Sequence, residues 1–422
     1  MSDATDEEVN RDTDVGKGTS VSTESTRTKG PVQGAERTDP GYDVAAWRVR
    51  IPILKTHTAL NSCSQGAQME STRAAAEAYL DSWNRDGMDW EEWTEEIYRA
   101  KEEFARLINA SPDEVAVSTS TSEAAASLIS AFDPNRARRK IVSTEAEFPS
   151  ISHVWMAFRK YGLQVDWVPL RDQIVHLEDY DRHLDDQTLL VSATHAYYQN
   201  GFKQDLAPIA EKTHAAGALL FVDAYQTLGT HPIDVKALDI DFLATGNLKY
   251  LMGVPGIAFL YARGDLHDRL HPAITGWFGR SNPYSFQPKV LDWSPTASRL
   301  DTGTPPVINA YIARAGMAAI NEIGSEAIRA WTAALSQYLI DEGRRRGFRL
   351  HGIDDVQRKS PSTAFFCPGD AHAIEAALKD RRILASARGP VIRLAPHFFS
   401  TYEDCTIALD ALEEIFAEVP RD

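Results

Sequence analysis

Cysteine is scarce in this sequence: there are three among 422 residues, Cys63, Cys367 and Cys405, and no C-x-x-C pair. This spacing argues against a disulfide framework and against a structural zinc site. No apolar run approaches the roughly 18 residues of a membrane span, and the first residues lack the apolar stretch of a secretory signal. We therefore expect a cytoplasmic protein with no metal centre and no membrane association.

Positive charge is also in deficit, because 44 Lys and Arg residues stand against 60 Asp and Glu residues and the net charge is -16. Such an acidic surface repels nucleic-acid phosphates, so we expect no nucleic-acid partner. The content of 43% hydrophobic and 25% charged residues is typical of a globular chain with a large core. The length suits one large α/β domain with a smaller partner domain.

Large apolar residues are nearly missing from residues 1–42, which are rich in small, polar and charged residues. Such a segment cannot bury enough surface to offset the entropy of ordering, so we predict a disordered tail. Order is expected to begin near residue 45, where Trp47, Val49, Ile51 and Ile53 alternate as in a β-strand. We predict a large domain over 43–300, whose first residues could join the other domain, and a small domain over 301–422.

Short apolar or β-branched runs alternate with helical patterns along the large domain. Strands are predicted at 113–119, 139–144, 164–170, 187–195, 218–224, 241–245 and 256–262. Helices are predicted at 72–83, 91–108 and 205–217, and a long one within 303–324. A strand, helix, strand and helix follow at 362–367, 371–381, 391–396 and 403–416. The pattern indicates an α/β protein whose mostly parallel sheet has helices on both faces, with a smaller α+β domain at the C-terminus.

Two charged residues lie next to predicted strands, where ligands of such sheets bind. Lys249 lies between two apolar strands and is flanked by Gly246 and Gly253. Burial there would lower the pKa of its amine and free it to attack an aldehyde, although a solvated loop lysine fits the same position. Asp223 ends a strand and could keep a pyridine nitrogen protonated, or it could simply cap the turn.

The segment STSTSEAAASLISAF reads as the start of a helix. Ser120 and Glu123 have the spacing of a capping box. Free N–H groups at this helix start, together with the hydroxyls of Thr121 and Ser122, could hold a phosphate, and a cap without a ligand is the alternative.

Two further residues stand out in apolar surroundings. Arg393 lies within the apolar strand VIRLAP, where it needs either an internal acidic partner or a substrate carboxylate. Phe148, in AEFPS, could cover a planar ring or pack in the core.

The order of these segments resembles the class V aminotransferase-like family of pyridoxal-phosphate (PLP) enzymes, which have fold type I. The matching segments are STSE (120–123), FVDAYQ (221–226), GNLKYLMGVPG (246–256) and VIRLAPHFFST (391–401). The resemblance extends from about Leu60 to the C-terminus. It implies that PLP is the cofactor and that an amino acid is the substrate, bound as an external aldimine.

The resemblance also implies roles for single residues. Lys249 carries PLP as a Schiff base and then moves the proton at Cα, while Asp223 pairs with the pyridine nitrogen. The other implied roles are phosphate binding by Thr121 and Ser122, contact of Gln226 with the phenolic oxygen, stacking of Phe148 on the ring, and binding of the substrate carboxylate by Arg393. Thr304, in GTPP, is expected to reach a phosphate in the neighbouring subunit, which implies a homodimer.

Within the family, EFPS, TGWFGRSNPYSF (275–286) and RLDTGTPP resemble kynureninase, and Trp277 would then donate its indole N–H to the phosphate. Kynureninase has a tyrosine immediately before the lysine, where this sequence has Leu248. It also has a histidine at the position of Gln226. Cysteine desulfurases place a nucleophilic cysteine shortly before the arginine segment. Here ASARGP (385–390) has none, and Cys367 and Cys405 read as inert core thiols.

These observations favour a PLP-dependent enzyme that acts at Cα or beyond on a small amino acid, as an aminotransferase or a C–C or C–S lyase. The alternatives are a kynureninase-like hydrolase and a PLP-binding protein without turnover.

Overall fold

The computed structural model describes residues 38–133 and 137–419. Residues 1–37 of the predicted disordered tail lie outside the described part. The last residues of that tail are described, and the hydroxyl of Tyr42 donates to the carbonyl oxygen of Phe398 at 2.8 Å. Packed structure therefore begins slightly before the predicted boundary at residue 43.

The described chain contains thirteen β-strands. In chain order they are β1 (Thr58–Ala59), β2 (Val115–Ser118), β3 (Lys140–Thr144), β4 (Gln164–Val168), β5 (Thr188–Thr194), β6 (Leu219–Asp223), β7 (Phe242–Gly246), β8 (Ala258–Ala262), β9 (Leu350–His351), β10 (Thr363–Phe366), β11 (Ile383–Leu384), β12 (Ser386–Arg388) and β13 (Val391–Leu394).

Seven of these strands form the central sheet, in the order β2-β8-β7-β6-β5-β3-β4. The pairs β3–β4, β3–β5, β5–β6 and β6–β7 are parallel, and only β8 runs against its two neighbours. All seven predicted strands of the large domain are present. The predicted mostly parallel sheet is confirmed.

The described chain also contains ten α-helices. They are α1 (Val44–Arg48), α2 (Glu70–Asp86), α3 (Trp90–Ile108), α4 (Thr121–Ser130), α5 (Pro149–Ala157), α6 (Leu206–Ala215), α7 (Val307–Ile323), α8 (Ser325–Arg345), α9 (Ala371–Asp380) and α10 (Tyr402–Glu418). None of these helices is both long enough and apolar enough to cross a membrane. Helices α5 and α8 were not predicted.

Successive side chains along the strands point to opposite faces of the central sheet, and each face has its own apolar cluster. On one face, Val222 of β6 packs in a cluster with Phe104 of α3 and Ile320 of α7. On the other face, Phe221 packs in a cluster with Trp155 of α5. Helices therefore cover both faces, which explains why the strands read as nearly continuous apolar runs.

A second, four-stranded antiparallel sheet has the order β12-β13-β10-β9. One of its faces packs against α8, α9 and α10 in a separate apolar cluster, which matches the predicted C-terminal α+β arrangement. Strand β1 pairs with β11, so residues near 58 join this C-terminal part. Helix α7 packs in an apolar cluster of the central sheet. The predicted domain boundary at residue 300 assigns this helix to the small domain, and that boundary stays a prediction.

The strand predicted near residues 47–53 is wrong. The side chain of Asp43 accepts a hydrogen bond from the backbone N–H of Ala46 and begins α1, and a 3₁₀ turn follows at Pro52–Lys55. Trp47 and Ile51 are buried while Val49 is exposed. A spacing of four buries one side of a helical segment, so the apparent alternation came from a short helix followed by a turn.

Candidate active site

The candidate residues gather at one edge of the central sheet. All strands of the central sheet except β8 run in the same direction. Their carboxyl ends therefore lie at this edge, among them those of β2, β3, β5, β6 and β7. Asp223 is the last residue of β6 and Gly246 the last of β7. Helix α4 begins just beyond β2, and Phe148 begins α5 just beyond β3. This is the edge at which parallel sheets bind ligands.

The amine of Lys249 lies between two aromatic rings. Its Nζ atom is 4.3 Å from the ring centroid of Tyr225 and 5.4 Å from that of Phe148. Burial lowers the pKa of Lys249 to about 8; the charge of Asp223 acts in the opposite direction, and that of Arg393 lowers it further. With this pKa about one amine in ten is neutral at pH 7, far more than for a solvated lysine, and the neutral form can attack an aldehyde.

The loop that carries Lys249 is fixed by its backbone. Gly66 N–H donates to the carbonyl oxygen of Leu248 at 2.9 Å, and Gly253 N–H donates to that of Asn247 at 2.9 Å. A Cβ atom at Gly253 would lie 1.4 Å from Oδ1 of Asn247, so a larger residue would displace that side chain. Gly253 therefore leaves room for the side chain of Asn247 beside the loop.

The second flanking glycine, Gly246, makes room for Tyr225. A Cβ atom at Gly246 would lie 2.3 Å from the Tyr225 hydroxyl. That hydroxyl interacts with the backbone N–H of Leu248, and burial raises the pKa of Tyr225 to about 12. Tyr225 was not among the predicted site residues, although it lies inside the FVDAYQ segment.

Asp223 is buried at the end of its strand. One of its carboxylate oxygens accepts the N–H of Tyr225 at 2.9 Å. Burial raises the pKa of Asp223, while this hydrogen bond and the nearby charge of Lys249 lower it. This carboxyl group is thus buried and within electrostatic reach of the lysine amine.

A second buried carboxylate, Glu147, was not identified from the sequence. It accepts the N–H of Phe148 at 2.9 Å and the hydroxyl of Ser192 at 3.1 Å. Burial, and after it the charge of Asp223, raises the pKa of Glu147 well above its usual value. Two carboxylates in one dry region favour the protonated form of one of them.

The start of α4 is capped as predicted, but on one side only. The hydroxyl of Ser120 accepts the N–H of Glu123 at 3.2 Å. The carboxylate of Glu123 does not return to Ser120; it accepts the N–H of Thr119 at 2.8 Å and the hydroxyl of Thr302 at 2.7 Å. The full capping box is therefore not formed, because Glu123 ties the helix start to the 302–304 segment.

Thr121 and Ser122 occupy the first turn of α4. No protein acceptor in the described ranges takes their backbone N–H groups. The hydroxyl of Ser122 donates to the carbonyl oxygen of Ser150 at 3.4 Å, which places this turn beside the segment that carries Phe148. The phenyl ring of Phe148 meets the ring of Tyr198 edge-on at 5.1 Å. A helix start with free N–H groups suits an anion such as a phosphate.

Arg393 is 1% exposed, and its guanidinium has only neutral partners. It donates to the hydroxyls of Ser386 and Ser64, at 2.7 and 3.0 Å, and to the carbonyl oxygens of Ser386 and Tyr198. No carboxylate in the part of the chain that the structure describes forms an ion pair with it. The internal ion pair considered as an alternative is thus not observed, and a buried positive charge remains for an anionic ligand.

The remaining candidates occupy different positions. Gln226 is buried, and its side-chain amide donates to the carbonyl oxygen of Cys63 at 3.1 Å. Trp277 packs edge-on against Trp90 at 5.5 Å. Thr304 is exposed. Within the described chain neither Trp277 nor Thr304 contacts Lys249 or Asp223, so their implied contacts with the cofactor stay predictions.

The thiols differ in their surroundings. Cys367 is half-buried, and burial raises its pKa to about 11. Cys405 is fully buried, which also raises its pKa. Cys63 is buried and acts electrostatically on Lys249, a proximity that the sequence did not reveal. Neither Cys367 nor Cys405 therefore has the lowered pKa of a reactive thiolate.

The model of the family described as aminotransferase class-V matches residues 72–393, and the chain belongs to this family. It is a PLP-dependent enzyme, as the resemblance implied. An uncharacterized aminotransferase of Bacillus subtilis (strain 168), YcbU, is 38% identical over 368 residues, which cover 87% of this chain and 96% of that protein.

More distant relatives include a kynureninase of Burkholderia mallei (strain SAVP1), 26% identical over 92% of this chain and 95% of its own length. Among solved structures, the apo cysteine desulfurase of Thermococcus onnurineus NA1 has a TM-score of 0.80 at 21% identity, covering 89% of this chain and 98% of its own. A C-DES mutant with glycine covalently linked to its PLP cofactor also has a TM-score of 0.80, at 19% identity, covering 87% and 99%. These structures confirm the predicted fold type I architecture.

The residues at the sheet edge fit PLP by their own chemistry. A lysine amine of lowered pKa lies between two aromatic faces, a buried carboxylate is close to it, and a helix start with free N–H groups is adjacent. An aldehyde, a pyridine nitrogen and a phosphate require these three kinds of group.

Proposed function

We propose that this enzyme acts on a small α-amino acid, by transamination or by cleavage of a C–C or C–S bond, with Lys249 as the cofactor lysine. One observation carries the proposal. The Lys249 amine is held at a lowered pKa between Tyr225 and Phe148, within the fields of Asp223 and Arg393. A surface lysine has no reason to meet all these conditions at once.

When bound, PLP supplies an electron-withdrawing ring that stabilises negative charge at the substrate Cα. Several side chains would hold it: Thr121 and Ser122 at the phosphate, Asp223 at the pyridine nitrogen, Gln226 at the phenolic oxygen and Phe148 on the ring face. Lys249 then accepts a proton from Cα and returns one, for which a pKa near the working pH is best suited.

Arg393 orients the substrate. Four of its five N–H donors are engaged by neutral acceptors. These bonds fix the guanidinium plane, and the fifth donor and the uncompensated charge bind the α-carboxylate. A fixed carboxylate determines which bond at Cα is aligned for cleavage.

We further propose that the enzyme is a homodimer in which Thr304 of one subunit reaches the phosphate held by the other. The exposure of Thr304 supports this arrangement, because an exposed side chain in the single chain is available to a second copy.

The direct test compares Lys249→Ala with Lys236→Ala, an exposed lysine outside the site. Each protein is supplied with PLP and a panel of amino acids, and keto-acid formation and release of side-chain fragments are measured separately. We expect the visible band of bound PLP and all turnover to vanish in Lys249→Ala and to persist in Lys236→Ala. Turnover by Lys249→Ala at the wild-type rate would overturn the proposal.

Kynureninase-like hydrolysis is a second candidate, favoured by a specific contact. Leu248 lacks the hydroxyl of the tyrosine that precedes the lysine in kynureninase, but the hydroxyl of Tyr225 interacts with the Leu248 N–H beside Lys249. Tyr225 can therefore offer a phenol from another position. Release of anthranilate from kynurenine, lost in Tyr225→Phe, would favour this reaction, and its absence would leave the first candidate.

A further inference from the structure

We propose that Arg388 determines specificity by binding a carboxylate on the substrate side chain, so that the preferred substrates are acidic amino acids. This inference rests on the proposed function, because it assigns a substrate class to the same site. Arg388 was not selected from the sequence.

The position of Arg388 follows from the faces of the small sheet. Ser386 lies directly opposite Arg393 on the neighbouring strand, and the two side chains are hydrogen-bonded. Side chains alternate along a strand, so Arg388 points to the same side as Ser386. The intervening residue of β12, Ala387, and its partner on β13, Ile392, point to the other side and belong to the apolar cluster that covers it. Arg388 and Arg393 therefore share the face turned away from that cluster.

The two arginines are diagonal neighbours on this face. Arg388 lies opposite Val391, two residues before Arg393 on β13. Diagonal neighbours on adjacent strands lie roughly 7–8 Å apart, within reach of long side chains. Both arginines also act on Lys249, since the charge of Arg393 and then that of Arg388 lower its pKa. Arg388 therefore shares a sheet face with Arg393 and lies within electrostatic range of the lysine amine.

Arg388 differs from the arginines around it in its partners. Arg346 forms ion pairs with Glu342, Asp410 and Glu413, and Arg381 lies near two glutamates of α10. Arg388 is exposed and has no carboxylate partner within the ranges that the structure describes. Glu375, which approaches this strand, accepts the backbone N–H of Ala387 instead. The guanidinium of Arg388 is thus available to a ligand.

The charges of the site favour a ligand with two carboxylates. Three cationic groups lie near one another in the site, namely Lys249, Arg393 and Arg388. Against them, the carboxyl group that acts on the lysine is that of Asp223. An α-carboxylate offsets the charge of Arg393, and a side-chain carboxylate offsets that of Arg388. A neutral side chain would leave the second arginine without a counter-charge in the occupied site.

The test uses the PLP-loaded wild type, Arg388→Gln and the control Arg382→Gln, which removes an exposed arginine elsewhere in the small domain. Binding constants for aspartate, asparagine, glutamate and glutamine are read from changes in the cofactor absorption band. Calorimetry with unreactive succinate and butyrate measures binding without turnover. Thermal unfolding verifies that each variant is folded.

We expect the wild type and Arg382→Gln to bind each acid at least about tenfold more tightly than its amide, the scale of one charge-assisted hydrogen bond. Arg388→Gln should bind the acids more weakly and the amides as before, so that the preference for acids disappears. Its preference for succinate over butyrate should disappear as well. Arg388→Lys should restore part of it.

Equal binding of acids and amides by the wild type would overturn the inference, as would an unchanged preference in folded Arg388→Gln. In both cases the proposed function stands if neutral amino acids still alter the band in a Lys249-dependent way. If no amino acid alters the band, the proposed function itself fails.

Discussion

The lowered pKa of Lys249 makes a quantitative prediction about how fast the apo protein captures PLP. Only the neutral amine attacks the aldehyde. At pH 7.5 about a quarter of the molecules carry a neutral amine if the pKa is about 8, against about one in a thousand for a lysine at 10.5. The population of reactive amine is therefore roughly two hundredfold larger than for a solvated lysine.

The assay is a stopped-flow measurement of the visible band after PLP is mixed with apo protein between pH 6 and 10. Nα-acetyl-lysine at matched concentration corrects for the titration of PLP itself. We expect the rate to rise with pH, reach half its maximum near pH 8 and then level off, because the amine is fully neutral above its pKa.

Two variants test the cause of this midpoint. Asp223→Asn removes a charge that raises the pKa of Lys249 and should move the midpoint to lower pH, while Arg393→Gln removes a charge that lowers it and should move the midpoint up. A wild-type rate that keeps rising to pH 10, or two variants that shift in the same direction, would refute the reasoning.

Two further predictions concern the frame of the site. Gly253→Ala places a Cβ atom on the side chain of Asn247 and should cost about 1–3 kcal/mol in the free energy of unfolding. Gly264→Ala is the control, because its Cβ would meet only the side chain of Glu114, at 3.3 Å, and it should change the melting temperature much less. Equal losses of melting temperature in the two variants would contradict this. Because burial raises the pKa of Glu147 above 4.5, the native state holds its proton more tightly than the unfolded chain does, and this stabilisation is lost as the pH rises from about 4.5. Denaturant titrations should therefore show Glu147→Gln gaining stability relative to the wild type with rising pH, and a pH-independent difference would show that Glu147 is not perturbed.

The strands of the central sheet could be predicted because each is buried on both faces and reads as a run of apolar residues. The N-terminal helix could not, because Trp47 and Ile51 fit either a strand or a helical spacing and only the Asp43 cap distinguishes them. The cap of α4 was predictable at Ser120, but the true partners of Glu123 lie at Thr119 and on the distant residue Thr302.

Within the site, sequence patterns indicated the residues that lie in recognisable segments, such as Lys249 and Arg393. Their partners Ser64, Ser386 and Tyr198 come from separate parts of the chain and meet only in the folded protein. Glu147 carried one signal, its place directly before Phe148, but its burial depends on packing that no local pattern reveals. The faces of β12 similarly became apparent only from its register with β13.

The measurement that tests the central claim most directly locates the cofactor on the chain. The PLP-loaded protein is reduced with borohydride and digested, and the peptide that carries the added pyridoxyl mass is identified by mass spectrometry. Lys359 is the informative rival, because burial lowers its pKa to about 7, yet its amine already donates to the Ser360 and Ser362 carbonyl oxygens and to the Thr363 hydroxyl. We expect the label on Lys249 alone; a label on Lys359, or none at Lys249, would contradict the account.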